Sequence, residues 1–268
     1  MSEVADFFQS VKLPVMSEVA HVLIGMLNDD DVSSGELRGV IAKDPALTAK
    51  LLRLANSARY GVTRSIASID DAIMVVGISQ VRTLGLAACM ADAFPVIPGL
   101  DRKEFWRNST VTAGYANWLA ASLGIDGQQA WLVGMMERLG ELLIGQNQPA
   151  ALARIEMQPH LPGGRWSREQ ELLGFSEANL SAELARRWNF PAEIVAALNA
   201  TSDPMESHPF NRLGAVVHLA CLLAETPDTD AATLDTLPQD VVDALRLDRD
   251  WMRRKFPKPE SFFDISTL

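Results

Sequence analysis

The chain has 268 residues, of which 48% are hydrophobic, so it is long enough for one large domain or two modest ones with a substantial apolar core. Its formal net charge of −10 argues against nucleic acid as a partner, because affinity for DNA depends largely on Lys and Arg contacts to phosphate. Cys89 and Cys221 lie far apart in apolar stretches, which excludes a CxxC zinc or redox pair and is typical of small core residues in a reducing compartment.

The first residues of the chain do not have the pattern of a signal peptide, since they include Glu3 and Asp6 and lack an apolar core segment. No uninterrupted apolar run reaches the ~18 residues that a membrane-spanning helix requires. We therefore expect a soluble, cytoplasmic protein without a membrane partner.

Nearly every segment has the apolar spacing of an amphipathic helix, and neither strand alternation nor a hairpin turn is evident, which predicts an all-α fold. The β-branched stretch 73–78 is ambiguous, and we assign it to a helix because apolar residues continue from Val81 to Ala88 at helical spacing. The predicted helices are residues 3–11, 16–28, 34–43, 45–60, 69–93, 101–123, 127–147, 149–157, 167–174, 177–188, 191–200, 211–225, 238–246 and 249–255.

Several helix starts and two breaks are marked by specific residue types. Asp44 supplies an N-cap carboxylate before Pro45, a residue suited to the first helical position because it has no N–H to leave unpaired. Proline and glycine residues predict breaks at 94–99 and 159–164. Capping-box spacing predicts four further starts: Ser33 with Glu36, Ser68 with Asp71, Asp126 with Gln129, and Ser167 with Gln170.

Residues 131–143, WLVGMMERLGELL, form a helical pattern with small residues at Gly134 and Gly140. The pattern resembles the helix of HD-type phosphohydrolases, in which GLLHDIG places a metal-binding His-Asp pair. Glu137 and Arg138 stand at the positions of that pair. Because a guanidinium stays protonated and cannot bind a cation, the resemblance implies a metal-hydrolase scaffold with altered ligands.

Residues 41–86 carry a longer match. They resemble the HDOD domain family, bacterial signal-transduction domains that are related to HD-type phosphohydrolases and generally lack the metal-binding residues. The matching residues are Asp44, Pro45, Leu47, Leu51, Leu54, Ala55, Asn56, Ser57, Ala58, Tyr60, Ile66, Ser68, Ala72, Ile73, Gly77 and Leu84.

The resemblance covers residues 11–210 and implies a two-lobed helical fold. We expect an N-terminal lobe at about 1–98, an HD-like lobe at about 99–210, and closing helices with a tail at 211–268 on the same body. It also places the metal-binding positions of active relatives on residues that include no histidine: Asn108, Glu137, Arg138, Glu177, Thr201, Ser202 and Cys221. We therefore expect no catalytic residue, no metal and no other cofactor.

The histidines of this chain are scattered. His21 and His218 lie in apolar helical runs, so we expect buried or half-buried rings, whereas His160 and His208 lie in proline-flanked loops and should face solvent. A dinuclear site needs several converging His and carboxylate ligands, which this distribution does not supply. P-loop, GxGxxG and GxSxG motifs are also absent from the sequence.

Two groups of residues keep alternative interpretations. Glu137, Arg138 and Glu177 are either solvent-facing charges at the rim of a degenerate cleft or a buried ion pair in which Arg138 replaces the metal charge. Asn56 and Ser57 either bond the nearby backbone or contact a partner or the second lobe.

The resemblance implies a non-catalytic bacterial adaptor that relays signals through regulatory protein partners of unknown identity. One alternative is a small-ligand sensor that binds a nucleotide in the former active-site cleft. The other, less favoured, is a residual phosphohydrolase that uses Glu137 and Glu177 with a metal. The sequence predicts neither the pathway nor the oligomeric state.

Overall fold

The computed structural model describes residues 3–27, 29, 31–57, 65–157, 161–227 and 229–262. All regular structure in these ranges is helical, which confirms the predicted all-α class. The chain divides into a smaller unit, Pro14–Pro95 with Trp188–Pro191, and a larger unit, Met1–Leu13, Val96–Arg187 and Ala192–Thr267. The division at 95–96 lies in the predicted break. The N-terminal residues belong to the larger unit, whereas the sequence placed them in the N-terminal lobe.

The smaller unit contains five helices among its described residues: α2 (Glu18–Gly25), α3 (Ser34–Ile41), α4 (Pro45–Ala55), α5 (Ile69–Val76) and α6 (Ile78–Ala93). Asp44 caps α4 as expected, since its Oδ1 accepts the N–H groups of Ala46 and Leu47 at 3.0 Å each. The capping box at Ser33 and Glu36 is also formed. The short segment 188–191 joins this unit through the Trp188 indole, which donates to the Pro14 carbonyl at 3.2 Å.

The prediction of one helix over 69–93 was wrong, because the chain turns sharply at Gly77. Gly77 has a φ of +92°, a conformation that side-chain-bearing residues rarely adopt. Consequently α5 ends at Val76, α6 begins at Ile78, and their axes differ by 114°. The apolar period continues across the break, and for that reason the sequence pattern did not reveal it.

The larger unit contains the remaining described helices. They are α1 (Glu3–Ser10), α7 (Arg102–Leu123), α8 (Gly127–Met136), α9 (Leu139–Asn147), α10 (Pro149–Glu156), α11 (Gly164–Leu173), α12 (Glu177–Arg187), α13 (Ala192–Ala200), α14 (Arg212–Glu225), α15 (Gln239–Leu245) and α16 (Arg249–Lys255), with short 3-10 helices at Ala231–Thr236 and Pro259–Ser261. Gly134 lets α8 approach α7 closely, since a Cβ there would lie 2.9 Å from the Cα of Ala113.

Other helix boundaries also differ from the predictions, and two of them lie in the segments that form the candidate site. The expected helix 127–147 is interrupted at Glu137 and Arg138, which lie between the end of α8 and the start of α9. Helix α11 begins at Gly164 rather than at 167, because Gly163 takes the left-handed conformation just before it. Ser167 therefore lies inside the helix and is not its N-cap.

Candidate functional site

The interruption between α8 and α9 positions the residues that stand in place of the HD pair. Glu137 and Glu177 are each 1% exposed, and the side chain of Arg138 is 14% exposed. The interpretation as solvent-facing rim charges was therefore wrong for Glu137 and Glu177, whereas Arg138 is half-buried and lines a cleft. Burial of ionisable groups is costly unless they are paired and hydrogen-bonded, so their partners define what this site can do.

Glu137 is held by groups from two other helices. Its Oε1 accepts a hydrogen bond of 3.1 Å from the Trp166 indole of α11. Its backbone carbonyl accepts one of 2.6 Å from Ser181 of α12, and Ser181 in turn accepts the Gly140 N–H at 2.7 Å. Ser181 thus bridges the Glu137 carbonyl in the break and the Gly140 N–H at the start of α9.

Burial raises the pKa of Glu137 to about 7, although Arg138 opposes the shift. The Cys221 thiol of α14 lies close enough to the same carboxyl to lower its pKa slightly, so two of the positions that the resemblance assigns to metal ligands are near each other in space. Burial also raises the pKa of Cys221 well above its ordinary value, and the neighbouring Glu137 raises it further. This thiol is consequently protonated at neutral pH.

Arg138 forms its ion pair with Glu141 rather than with Glu137 or Glu177, contrary to the interpretation in which it replaces the metal charge between them. Its Nε and Nη2 both donate to one oxygen of Glu141, at 3.1 and 2.7 Å, and its guanidinium lies 5.8 Å from the ring centre of Phe105. Burial disfavours the charged form, but Glu141 and Glu177 outweigh this effect and raise the pKa of Arg138, so it stays charged.

Arg165 of α11 is the guanidinium that contacts Glu177, and the sequence pattern did not predict this role. It is 1% exposed, and its Nε lies 2.9 Å from Glu169 Oε1 and 3.2 Å from Glu177 Oε2. Its Nη1 pairs with Glu156 and lies 3.7 Å from Glu141 Oε1. The spacing of Arg165 and Glu169 at i and i+4 on one helix was the available signal, but it is shared with many surface pairs.

The other positions that the resemblance assigns to metal ligands are Asn108, Thr201 and Ser202. Ser202 accepts a hydrogen bond of 3.1 Å from Ser176, and the Thr201 carbonyl lies 2.8 Å from Nδ1 of His218. Burial lowers the pKa of His218, whose ring stacks on Trp166 at 5.0 Å. Asn108 lines a cleft of about 1180 Å³ in the larger unit. That cleft contains groups of both charges: Asp101, Glu104, Arg107, Arg138, Glu141, Glu156, Glu225, Lys258 and Glu260.

The residues at this site do not fit the divalent metal that an HD-type fold implies. Arg165 already lies within hydrogen-bonding distance of Glu169 and Glu177, and a guanidinium is not a metal ligand. Across the described ranges, no group of three His, Cys, Asp or Glu side chains is arranged to hold a metal ion. No reaction step through a metal follows from this arrangement.

The histidines agree with the predictions only in part. His218 is half-buried and His208 is exposed, as expected. His21 is exposed on α2, so its predicted burial was wrong; it lies on the outer face of an amphipathic helix whose inner face is formed by other residues. His160 lies outside the described residues.

The family-motif residues of the smaller unit have backbone roles. The Asn56 amide donates to the carbonyls of Leu52 and Ile66, at 2.8 Å each, and its oxygen accepts the Ile66 N–H at 2.7 Å. These bonds support the structural interpretation of Asn56. The Ser57 hydroxyl is buried and has no hydrogen-bond partner among the described atoms. Ala58 and Tyr60 lie outside the described residues.

In the part of the chain that the structure describes, no single helix combines the length and hydropathy needed to cross a bilayer. Only the bent pair α5 and α6 passes that test, and it does so only when its two helices are counted together.

The family model that describes the HDOD domain matches residues 13–204. An uncharacterized protein of Treponema pallidum (strain Nichols) is 26% identical over 214 residues, which are 75% of this chain and 41% of that protein. The chain thus spans less than half the length of this curated relative.

Two crystal structures resemble the chain over most of its length, each at 26% identity and a TM-score of 0.77. One is a protein of Shewanella amazonensis SB2B, provisionally named a phosphohydrolase, and the alignment covers 94% of this chain and 92% of that one. The other is from Marinobacter aquaeolei VT8, is provisionally named a signal transduction protein, and is matched over 91% of this chain and 56% of its own.

Proposed function

Since the chain belongs to the HDOD domain family, we propose that it is a non-catalytic, cytoplasmic signal-transduction module that acts through contacts with regulatory proteins. The names of the two similar crystal structures, one a phosphohydrolase and one a signal transduction protein, leave both functions open. The residues at the former metal site favour the second.

One observation carries the proposal. Arg165, at 1% exposure, lies among the carboxylates of Glu141, Glu169 and Glu177, and Arg138 replaces the aspartate of the HD pair. Metal-assisted hydrolysis requires ligands that leave a coordination position open for water or substrate. Here the carboxylates are paired with guanidinium groups instead, so we infer that the scaffold contributes shape and surface rather than a reaction.

The absence of catalysis is tested with purified protein. We expect no stoichiometric iron, manganese or zinc, and no turnover of phosphomonoesters or cyclic dinucleotides when these metals are added. Glu137→Gln and Glu177→Gln are the matched variants, because they remove the only carboxylates at the mapped positions while keeping their size. Turnover by the wild type that both variants lose would establish the residual phosphohydrolase instead.

The adaptor function is tested by affinity capture from the native cell, followed by binding measurements with each captured protein in purified form. Arg138→Ala alters the cleft, and Arg186→Ala, at an exposed arginine of α12, is the control. We expect direct binding of at least one regulatory protein, weakened by Arg138→Ala and not by Arg186→Ala. If no captured protein binds directly when purified, the proposal is wrong.

A small-ligand sensor is the second candidate, and the cleft lined by Asn108 and Arg138 favours it. Its volume of about 1180 Å³ is somewhat larger than the roughly 300–1,000 Å³ of typical small-molecule sites. Calorimetry with a panel of nucleotides separates the two functions. Saturable binding of one nucleotide, lost in Arg138→Ala and kept in Arg186→Ala, would support the sensor.

A further inference from the structure

Residues 256–262, which we call the strap, pack against α7 in the larger unit. The ring of Phe262 meets that of Tyr115 edge-on, with 4.8 Å between the ring centres. Gly114 makes room for this contact, since a Cβ at that position would overlap the Phe262 ring. Glycine inside a helix lowers its stability relative to alanine, and the seat for Phe262 accounts for a glycine in the middle of α7.

The strap is attached to the helical body by aromatic contacts. Besides Phe262, the ring of Phe256 lies 5.5 Å from that of Trp118. The backbone hydrogen bonds of its short 3-10 helix close within the strap itself. Lys258 and Glu260 are exposed, and no ion pair joins either of them to the body among the described residues. Release of the strap therefore breaks apolar contacts without leaving a buried charge unpaired.

The strap also lines the cleft of about 1180 Å³, through Lys258 and Glu260. Helix α7 lines the same cleft through Asn108 and Val111. Tyr115 lies on the same face of α7 as these two residues, because positions 108, 111 and 115 are three and four residues apart. The cleft and the seat of the strap are thus neighbouring parts of one helix face.

The docked strap leaves one polar group poorly satisfied. The Tyr115 side chain is fully buried, and its hydroxyl makes no hydrogen bond among the described atoms. Burial raises the pKa of Tyr115 to about 12, the nearby Thr229 opposes the shift and the charge of Glu260 adds to it, so the strap lies close to this hydroxyl. A buried hydroxyl without a partner costs free energy, and release of the strap would give it water. This cost opposes the gain from aromatic burial and favours reversible docking.

We propose that the strap is a releasable gate of the cleft: it closes the cleft while Phe262 is seated on Gly114 and opens it when Phe262 leaves that seat. A molecule in the cleft that touches Lys258 or Glu260 binds the closed state more tightly than the open one, and thereby holds the strap in place. This gate goes beyond the adaptor function and does not depend on it.

Hydrogen exchange of the full chain tests whether the strap opens. The Ser261 and Phe262 N–H groups are hydrogen-bonded within its 3-10 helix. For an open state populated at about 0.1–10%, these amides should exchange about 10- to 1,000-fold more slowly than in an unstructured peptide, and less slowly than those in the middle of α7. Gly114→Ala should abolish this protection and keep that of α7, because alanine suits a helix and displaces only the Phe262 ring. Gly39→Ala on α3 is the control, since a Cβ there meets nothing within 4 Å.

Thiol labelling tests whether the strap controls access to the cleft. Cys89 and Cys221 are buried, so a cysteine introduced by Val111→Cys is the readily accessible thiol. We expect a maleimide to label it about 10-fold or more faster when Gly114→Ala is also present, because the open state then rises from at most about 10% to near completeness. Ser167→Cys, at an exposed position of α11, is the matched control and should react at the same rate in both backgrounds.

Phe262→Ala removes the ring itself and should match Gly114→Ala in both measurements, and it decides the question if Gly114→Ala does not fold. The proposal is wrong if the strap amides of the wild type exchange as slowly as those of α7, or as fast as those of a free peptide. It is also wrong if Val111→Cys reacts at the same rate whether or not Phe262 is seated. Neither measurement involves a partner or turnover, so the gate can fail these tests without affecting the adaptor proposal.

Discussion

The indole N–H of Trp166 donates a hydrogen bond of 3.1 Å to the buried Oε1 of Glu137. This contact joins α11 to the interruption between α8 and α9. The carboxyl group that it holds has a pKa that burial raises to about 7. The protonation of Glu137 therefore changes near neutral pH, and the stability of the larger unit should change with it.

We expect stability to fall as pH rises from 5 to 8. Because the pKa of Glu137 is about 7 in the folded protein and 4.5 for an unperturbed carboxyl, the folded state holds more protons in this window. The stabilisation is complete below about pH 4.5 and lost as pH rises through about 7. Burial raises the pKa of Glu169 to about 7 as well, and burial together with the Glu169 charge raises the pKa of Glu177 well above its ordinary value, so both act in the same direction.

Glu137→Gln isolates this effect, since an amide keeps the Trp166 hydrogen bond and cannot ionise. Between pH 5 and 8, the free energy of unfolding of the wild type should fall relative to this variant by roughly 1–3 kcal/mol. Urea denaturation at four pH values measures it, and Glu171→Gln, an exposed residue of α11, is the control. If the difference in the free energy of unfolding between wild type and Glu137→Gln is independent of pH, Glu137 is not the group that causes the pH dependence.

Local pattern predicted most helices but not the geometry of the site. Helix α16 was predicted to the residue, because N-caps and apolar period are local signals. The interruption at Glu137 depends on Ser181, 44 residues away, and the burial of Arg165 depends on Glu177, 12 residues away. A window of the sequence around Arg165 looks like any solvated helix face, because its partners come from helices brought close only by the fold.

Gly140 marks a close approach between α9 and the start of α12. A Cβ there would overlap the backbone carbonyl of Glu177, which cannot move without shifting α12. Gly140→Ala should therefore lower the free energy of unfolding by about 1–3 kcal/mol or more. Gly39→Ala on α3 is the control, since a Cβ there meets nothing within 4 Å and should stabilise by up to about 1 kcal/mol. Equal stabilities of the two variants in urea would refute the close approach.

Ser181→Ala tests the bridge across the break between α8 and α9. The hydroxyl accepts the Gly140 N–H and donates to the Glu137 carbonyl, so its removal takes a hydrogen-bond partner from each of two buried backbone groups. We expect a loss of about 2 kcal/mol or more in the free energy of unfolding. Ser167→Ala, at an exposed position inside α11, should be neutral. A neutral Ser181→Ala would show that water or backbone movement replaces the bridge.

Asn56→Ala tests the hydrogen bonds by which Asn56 holds the Ile66 segment next to α4 in the smaller unit. The Asn56 amide makes three hydrogen bonds, one to Leu52 in α4 and two to the backbone of Ile66 just before α5. Ile66 also packs with Ala55 and Ala72 in a buried cluster. Loss of the side chain removes the partner of the Ile66 N–H and carbonyl, while the Leu52 carbonyl keeps its bond from the Asn56 N–H, and we expect a cost of about 1–3 kcal/mol.

Hydrogen exchange locates the effect of Asn56→Ala, because amides open in cooperative units. Exchange should accelerate in α4 and α5 and stay unchanged in α7 to α9, which belong to the larger unit. Asn199→Ala, at an exposed residue of α13 whose amide oxygen accepts one bond from Asn179, is the control and should leave α4 and α5 protected. If Asn56→Ala leaves exchange in α5 unchanged, the conformation of the Ile66 segment is fixed by apolar packing rather than by the hydrogen bonds of the Asn56 side chain.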